Sequence, residues 1–144
     1  MKKQSKGFTL VELLIVIAIL AILYGMAAVN VMGIQNEAKM SKAKGDLRTL
    51  QLAMDSYVSR HSLCPDVADY QKELTRQNPG ILSGHLYDPF ARSVNTPYAY
   101  NKSLNRYNFV LYSVGMVGNG SAEVGDDGKI YVTGSPIFVS NGYF

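Results

Sequence analysis

An apolar run from Leu10 to Val29, broken only by Glu12, Tyr24 and Gly25, limits what this chain can fold into. The hydrocarbon core of a bilayer is about 30 Å thick, and a helix rising about 1.5 Å per residue crosses it in roughly 20 apolar residues. Residues 8–32 meet that length and are predicted to span a membrane. Lys2, Lys3 and Lys6 lie just before the run. Basic residues beside a first span stay cytoplasmic, which places residues 33–144 outside the cytoplasm. Lys39, Lys42, Lys44 and Arg48 compete from the other flank. Gly25-Met26-Ala27 has the small-x-small shape of a signal-peptidase site. The run is long for a secretory signal, however, and Glu12 interrupts its start.

Glu12 is the residue that asks for a chemical account. An acid at the centre of a spanning helix costs about 2.5–3.5 kcal/mol on insertion scales, so such residues usually have a partner. One explanation is headgroup water, since Glu12 lies near the helix start. Cleavage between Gly7 and Phe8 supplies another. It would create a cationic amine on Phe8, in the same apolar layer as Glu12, where opposite charges attract strongly. Paired between neighbouring chains, the two groups would fix the axial stagger of packed helices.

Helical pattern continues through residues 33–62 but turns amphipathic. Ala43, Leu47, Leu50, Met54, Tyr57 and His61 recur at steps of three or four, while Lys39, Lys42, Lys44, Arg48, Asp55 and Arg60 supply charge. A helix unbroken from Phe8 to His61 would be roughly 80 Å long, too long for one small domain to bury. Pro65 ends it. In residues 63–144 a short helix is expected within Val67–Gln77, with Tyr70, Leu74 and Ala68 inward, stopped by Asn78-Pro79-Gly80. Strands are expected around Tyr98–Tyr100 and Val110, and over Lys129–Thr133 and Pro136–Ser140. The expected class is α+β: a long N-terminal spine, half transmembrane and half amphipathic, packed against one small antiparallel sheet.

Lys6-Gly7-Phe8-Thr9-Leu10-Val11-Glu12-Leu13 resembles the N-terminal signature of type IV pilins and pseudopilins. The resemblance implies a pilin-like fold in which residues 1–7 are a leader removed by a prepilin peptidase. It also implies methylation of the new Phe8 amine, and pairing of Glu12 with the Phe8 amine of an adjacent subunit. Where many members have a proline, this chain has Val29, which puts the usual helix kink in question. Asp88-Pro89-Phe90, Pro97-Tyr98-Ala99-Tyr100 and Tyr112-Ser113-Val114-Gly115 resemble the major pseudopilin of type II secretion in particular. That resemblance implies calcium in the loop after Gly115, with a carbonyl ligand from Val114 and carboxylates from Asp126 and Asp127. Val117 replaces an aspartate of that pattern, and the spacing to Asp126 is stretched. Asn119, Ser121 and Glu123 are substitutes on one reading. On the other, Gly118-Asn119-Gly120 and Asp127-Gly128 are plain turns with solvated acids between them.

Charge and composition narrow the function. Removing residues 1–7 leaves 11 basic against 11 acidic side chains, so the mature chain is near neutral and no specific nucleic acid is expected. A solvated helix face accounts for Lys39–Arg48. The single cysteine, Cys64, allows no intrachain disulfide. His61 and His85 are isolated and no catalytic spacing occurs, so no enzyme is expected. The expected function is structural: a subunit of a type II secretion pseudopilus, anchored in the cytoplasmic membrane with its C-terminal region in the periplasm. The resemblance implies a homopolymer drawn up by an assembly platform and a cytoplasmic motor ATPase. A surface type IV or competence pilus, serving adhesion, motility or DNA uptake, is the alternative.

Overall fold

A computed structural model describes residues 8–28, 31–66 and 68–143, with only the backbone of residues 27 and 28. These residues fall into two compact units divided between Glu37 and Ala38. The cleavage-site residue Gly7 and the Val29–Asn30 position lie outside the described residues.

Helix α1 spans Leu10–Ala28. At about 1.5 Å per residue its 19 residues measure about 28 Å, matching a hydrocarbon core. It is long and apolar enough to cross a membrane. Every described side chain from Phe8 to Met26 is exposed, so these apolar residues form no buried core of their own.

Helix α2 spans Val31–His61, and its buried face begins in the second unit. Ala43, Leu47, Leu50, Met54 and Tyr57 are buried at the expected spacing, joined by Ala53. His61 is a correction: it is exposed, stacking on Tyr57 with ring centroids 4.3 Å apart and bonding the Gln77 side chain. The helix stops because Ser62 takes a left-handed φ of 62°, and Pro65 follows. Helix α3 is Tyr70–Arg76, capped by Asp69, which accepts from the Lys72 amide at 3.2 Å. Tyr70 and Leu74 face inward as expected; Ala68 is exposed, because it precedes the helix and has no place on its face. Gln71, for which the sequence carries no signal, is fully buried. Its amide bonds both Leu86 backbone groups and pins the irregular 81–87 connection to the core.

Five strands follow among the described residues: β1 Ala99–Lys102, β2 Phe109–Ser113, β3 Ser121–Val124, β4 Ile130–Thr133 and β5 Ile137–Ser140. The expected single sheet is two. One is antiparallel in the order β1-β2-β5, and the other is the β3-β4 hairpin. Strand β3 lies in the stretch read as loop or ligand supply, because four residues between glycine-rich turns give too short a period to see. The central strand explains both layers. Phe109 and Leu111 point into the core against α2, α3 and Tyr98, while Val110 points the other way, into a second cluster with Ala122, Val124 and Ile130. Both faces of β2 are covered, which is why its sequence is a continuous apolar run and not an alternation. The α+β class therefore holds, with a hairpin added as a third layer.

Among the described residues, every buried side-chain nitrogen and oxygen has a hydrogen-bond partner. The Tyr98 hydroxyl donates to Asp46 at 2.9 Å and the Tyr70 hydroxyl to the Tyr98 carbonyl at 3.1 Å. Burial, reinforced by the Asp46 carboxylate, pushes Tyr98 above the ordinary phenol range. Cys64 is fully buried, and that burial pushes its thiol up to about 11. Buried in this way, Cys64 packs as a small apolar core group.

Candidate functional site

The N-terminal site is built by the start of α1. Thr9 precedes the helix and Glu12 sits three residues later. The Glu12 carboxylate accepts from the Thr9 amide at 3.0 Å and from the Thr9 hydroxyl at 2.9 Å. Thr9 Oγ1 in turn accepts from the Glu12 amide at 3.2 Å. This is a capping box, in which a Thr and a Glu three residues apart satisfy each other's orphan helix-start donors. Reading Glu12 only as a charge overlooked it. The signal was in the sequence as Thr-x-x-Glu before an apolar run. In the isolated subunit the carboxylate therefore has a partner within its own chain. Phe8, the other expected assembly residue, is 75% exposed at the end of the helix.

A second constellation joins motifs that lie far apart in sequence. Asp88 is buried where its loop meets the end of β2. One of its oxygens accepts from the Ser113 hydroxyl at 2.7 Å and the Phe90 amide at 2.9 Å; the other accepts from the Val114 amide at 3.0 Å. The Gly115 amide donates back to Ser113 Oγ at 3.2 Å. Gly115 has φ +73°, and a Cβ there would collide with the Ser135 carbonyl. Asp-Pro-Phe and Ser-x-Gly are thus two halves of one clamp around a buried carboxylate. Asp88→Asn is expected to lower unfolding free energy by about 2–4 kcal/mol, because an amide nitrogen cannot accept from Val114 and leaves its N–H orphaned. Urea melts would read this as a lower midpoint at unchanged slope; an unchanged midpoint would remove the clamp from the account.

The residues expected to hold calcium are not brought together. The Val114 carbonyl accepts from the Gly120 amide at 2.9 Å, at the start of β3. Asp126 and Asp127 lie past the other end of β3, which at about 3.3 Å per residue is about 13 Å away. Asp126 is held there by the Asn105 amide at 2.9 Å, and Asp127 accepts from the Lys129 amide at 3.0 Å. Calcium needs six to eight oxygens at about 2.3–2.6 Å, so the set Val114, Asp126 and Asp127 does not fit one ion. Asn119 faces Gly134, while Ser121 and Glu123 are strand residues paired with Thr133 and Tyr131. Among the described residues, no group of three His, Cys, Asp or Glu side chains is placed to hold a metal.

The prokaryotic N-terminal methylation motif matches residues 2–28, the segment that contains Phe8, the capping box and α1. The chain is also 30% identical over 128 residues to type II secretion system core protein G of Pseudomonas aeruginosa, covering 81% of this chain and 87% of the relative. It belongs to the pilin and pseudopilin family. A core protein G of Aeromonas hydrophila is 41% identical over 56 residues, 39% of either chain. The type IV major pilin PilA of Myxococcus xanthus is 39% identical over 66 residues, 46% of this chain and 30% of the relative. No solved structure gives a significant match. The family is one of pilin-like structural subunits, anchored by an apolar N-terminal helix.

Proposed function

We propose that this chain is a structural subunit of a type II secretion pseudopilus. It stands in the cytoplasmic membrane as a single-pass protein with its C-terminal unit in the periplasm. The observation that carries this reading is the reach of the core protein G match. Its 128 residues extend far beyond the 27 residues of the shared methylation motif, and so include much of the second unit. After cleavage between Gly7 and Phe8, an assembly platform and a cytoplasmic motor ATPase draw subunits out of the bilayer. The exposed apolar surface of α1 then exchanges lipid for neighbouring helices. In that exchange Glu12 leaves Thr9 and neutralises the Phe8 amine of an adjacent subunit. The growing filament pushes folded proteins from the periplasm. A surface type IV pilus is the second reading, favoured by the 39% identity to a major pilin within a shorter segment.

The test joins mass and phenotype. Protein extracted from membranes is expected to have lost residues 1–7 and gained one methyl. Cells lacking the chain are expected to retain exoproteins in the periplasm while keeping their surface filaments. Normal export together with loss of surface filaments would replace the first reading by the second. An intact N-terminus would sink both.

A further inference from the structure

A groove of about 200 Å³ lies between α2 and β5, entirely within the second unit. Its floor is Ile137 and Val139, half-buried over the fully buried Leu47, and Lys44 and Arg48 stand on its rim, one helical turn apart. Both cations are exposed, and among the described residues neither has an ion-pair partner. The neighbouring acid, Asp46, is occupied by Lys42 at 3.4 Å and by the Tyr98 hydroxyl. Small-molecule pockets usually enclose about 300–1,000 Å³, so this groove suits the side chains of a protein partner better than a metabolite.

The opposite pole of the same unit carries the complement. From Lys44 to the end of α2 at His61 is about 25 Å along the axis. Just past that end, the Cys64 backbone is tied to Arg106. The preceding residue, Asn105, holds Asp126. The β3-β4 turn therefore stands at the C-terminal pole of α2. It presents Asp126 and Asp127, both exposed. Of the basic side chains near it, Lys102 and Arg106 share Asp66, at 2.7 and 3.7 Å, and Lys129 lies 5.9 Å over the Tyr131 ring. Tyr143, 60% exposed, bonds Gly128 of the turn through its backbone and adds an apolar face beside the acids.

We infer that the groove at Lys44 and Arg48 receives the acidic β3-β4 turn of a second copy of this chain. The acids meet the two rim cations, and Tyr143 meets the apolar floor. Groove and turn are different patches at opposite poles of one unit. Their contact is heterologous, so each copy keeps a free groove or a free turn for the next. Like charges brought together at such a contact repel, whereas the native signs attract and set the register.

The contact rests on the filament reading, and the experiment separates the two. Full-length wild type, Lys44→Glu/Arg48→Glu, Asp126→Lys/Asp127→Lys and the combined four-site variant are expressed in cells with the assembly machinery, and sedimented filaments are quantified. Either charge reversal is expected to lower filament yield about tenfold or more, and the combined variant to recover most of it. Independently, Arg48→Cys paired with Asp127→Cys is expected to give an oxidised ladder of multimers, because buried Cys64 stays silent. That pair needs no charge reversal and so covers any variant that fails to fold. A reversal without effect, a combined variant no better than its halves, or a missing ladder overturns the contact while leaving the filament intact. A processed wild type that never sediments overturns the filament reading and this contact with it.

Discussion

Glu12→Gln is expected to be processed and membrane-bound yet to form almost no filament, indistinguishable in this from Glu12→Ala. The two variants separate the roles that one carboxylate holds. Glutamine keeps a side-chain oxygen able to accept from the Thr9 amide, so the capping box and the start of α1 survive. Alanine removes both cap and charge. If Glu12 served only its own helix, glutamine would behave nearly as wild type, since loss of a cap costs about 1 kcal/mol. Under the proposed assembly the charge itself is required. Removing one partner of a desolvated ion pair costs about 3–5 kcal/mol, which raises the concentration needed for polymerisation by about a hundredfold or more. Sedimented filament per cell, with intact mass as the control for cleavage, reads the difference. Filaments from Glu12→Gln at wild-type yield would end the charge-pairing account.

Val110→Asp is expected to unfold the second unit or leave it barely stable. Val110 is fully buried, but not against α2: it faces Ala122, Val124 and Ile130 of the β3-β4 hairpin. A carboxylate there has no partner, and burying an unpaired charge costs more than the roughly 5–15 kcal/mol by which domains are stable can spare. Phe109→Ala, on the other face of β2, is expected to cost about 3–5 kcal/mol through the cavity it leaves. Circular dichroism melts of the two variants test both layers together. Normal melting of Val110→Asp would mean that the hairpin does not cover β2.

Much of the second unit was legible before its structure. The spacing Ala43, Leu47, Leu50, Met54, Tyr57 marked the buried stripe of α2, since 3.6 residues per turn leaves a trace over many turns. Strands β1, β2, β4 and β5 were visible as short β-branched or aromatic runs between turn residues. Strand β3 was not, because Ser121-Ala122-Glu123-Val124 alternates over too few residues and sits among glycines expected to be loop. With it went the second sheet and the reason for the unbroken apolar run of β2. Glu12 was singled out correctly as an anomaly of charge, yet its bond to Thr9 was passed over, although three-residue spacing is a local signal. Asp88 could be read as part of a motif but not as a buried acceptor, because its donors Ser113 and Val114 are 25 and 26 residues away. Asp126 and Asp127 were assigned to a metal by resemblance, and the length of β3 separates them from Val114.

Sequence alone determined whatever depends on near neighbours: the span of apolar residues, the acid near its start, the helical stripe and the helix-ending proline. Those features act through periodicity and local hydrogen bonding, which chain order specifies directly. Tertiary structure decided which loop ends meet: the clamp around Asp88, the hairpin behind Val110, and the distance between Val114 and Asp126. Such contacts join residues whose proximity is set by how layers pack and how long each strand is, quantities that no stretch of the chain carries by itself.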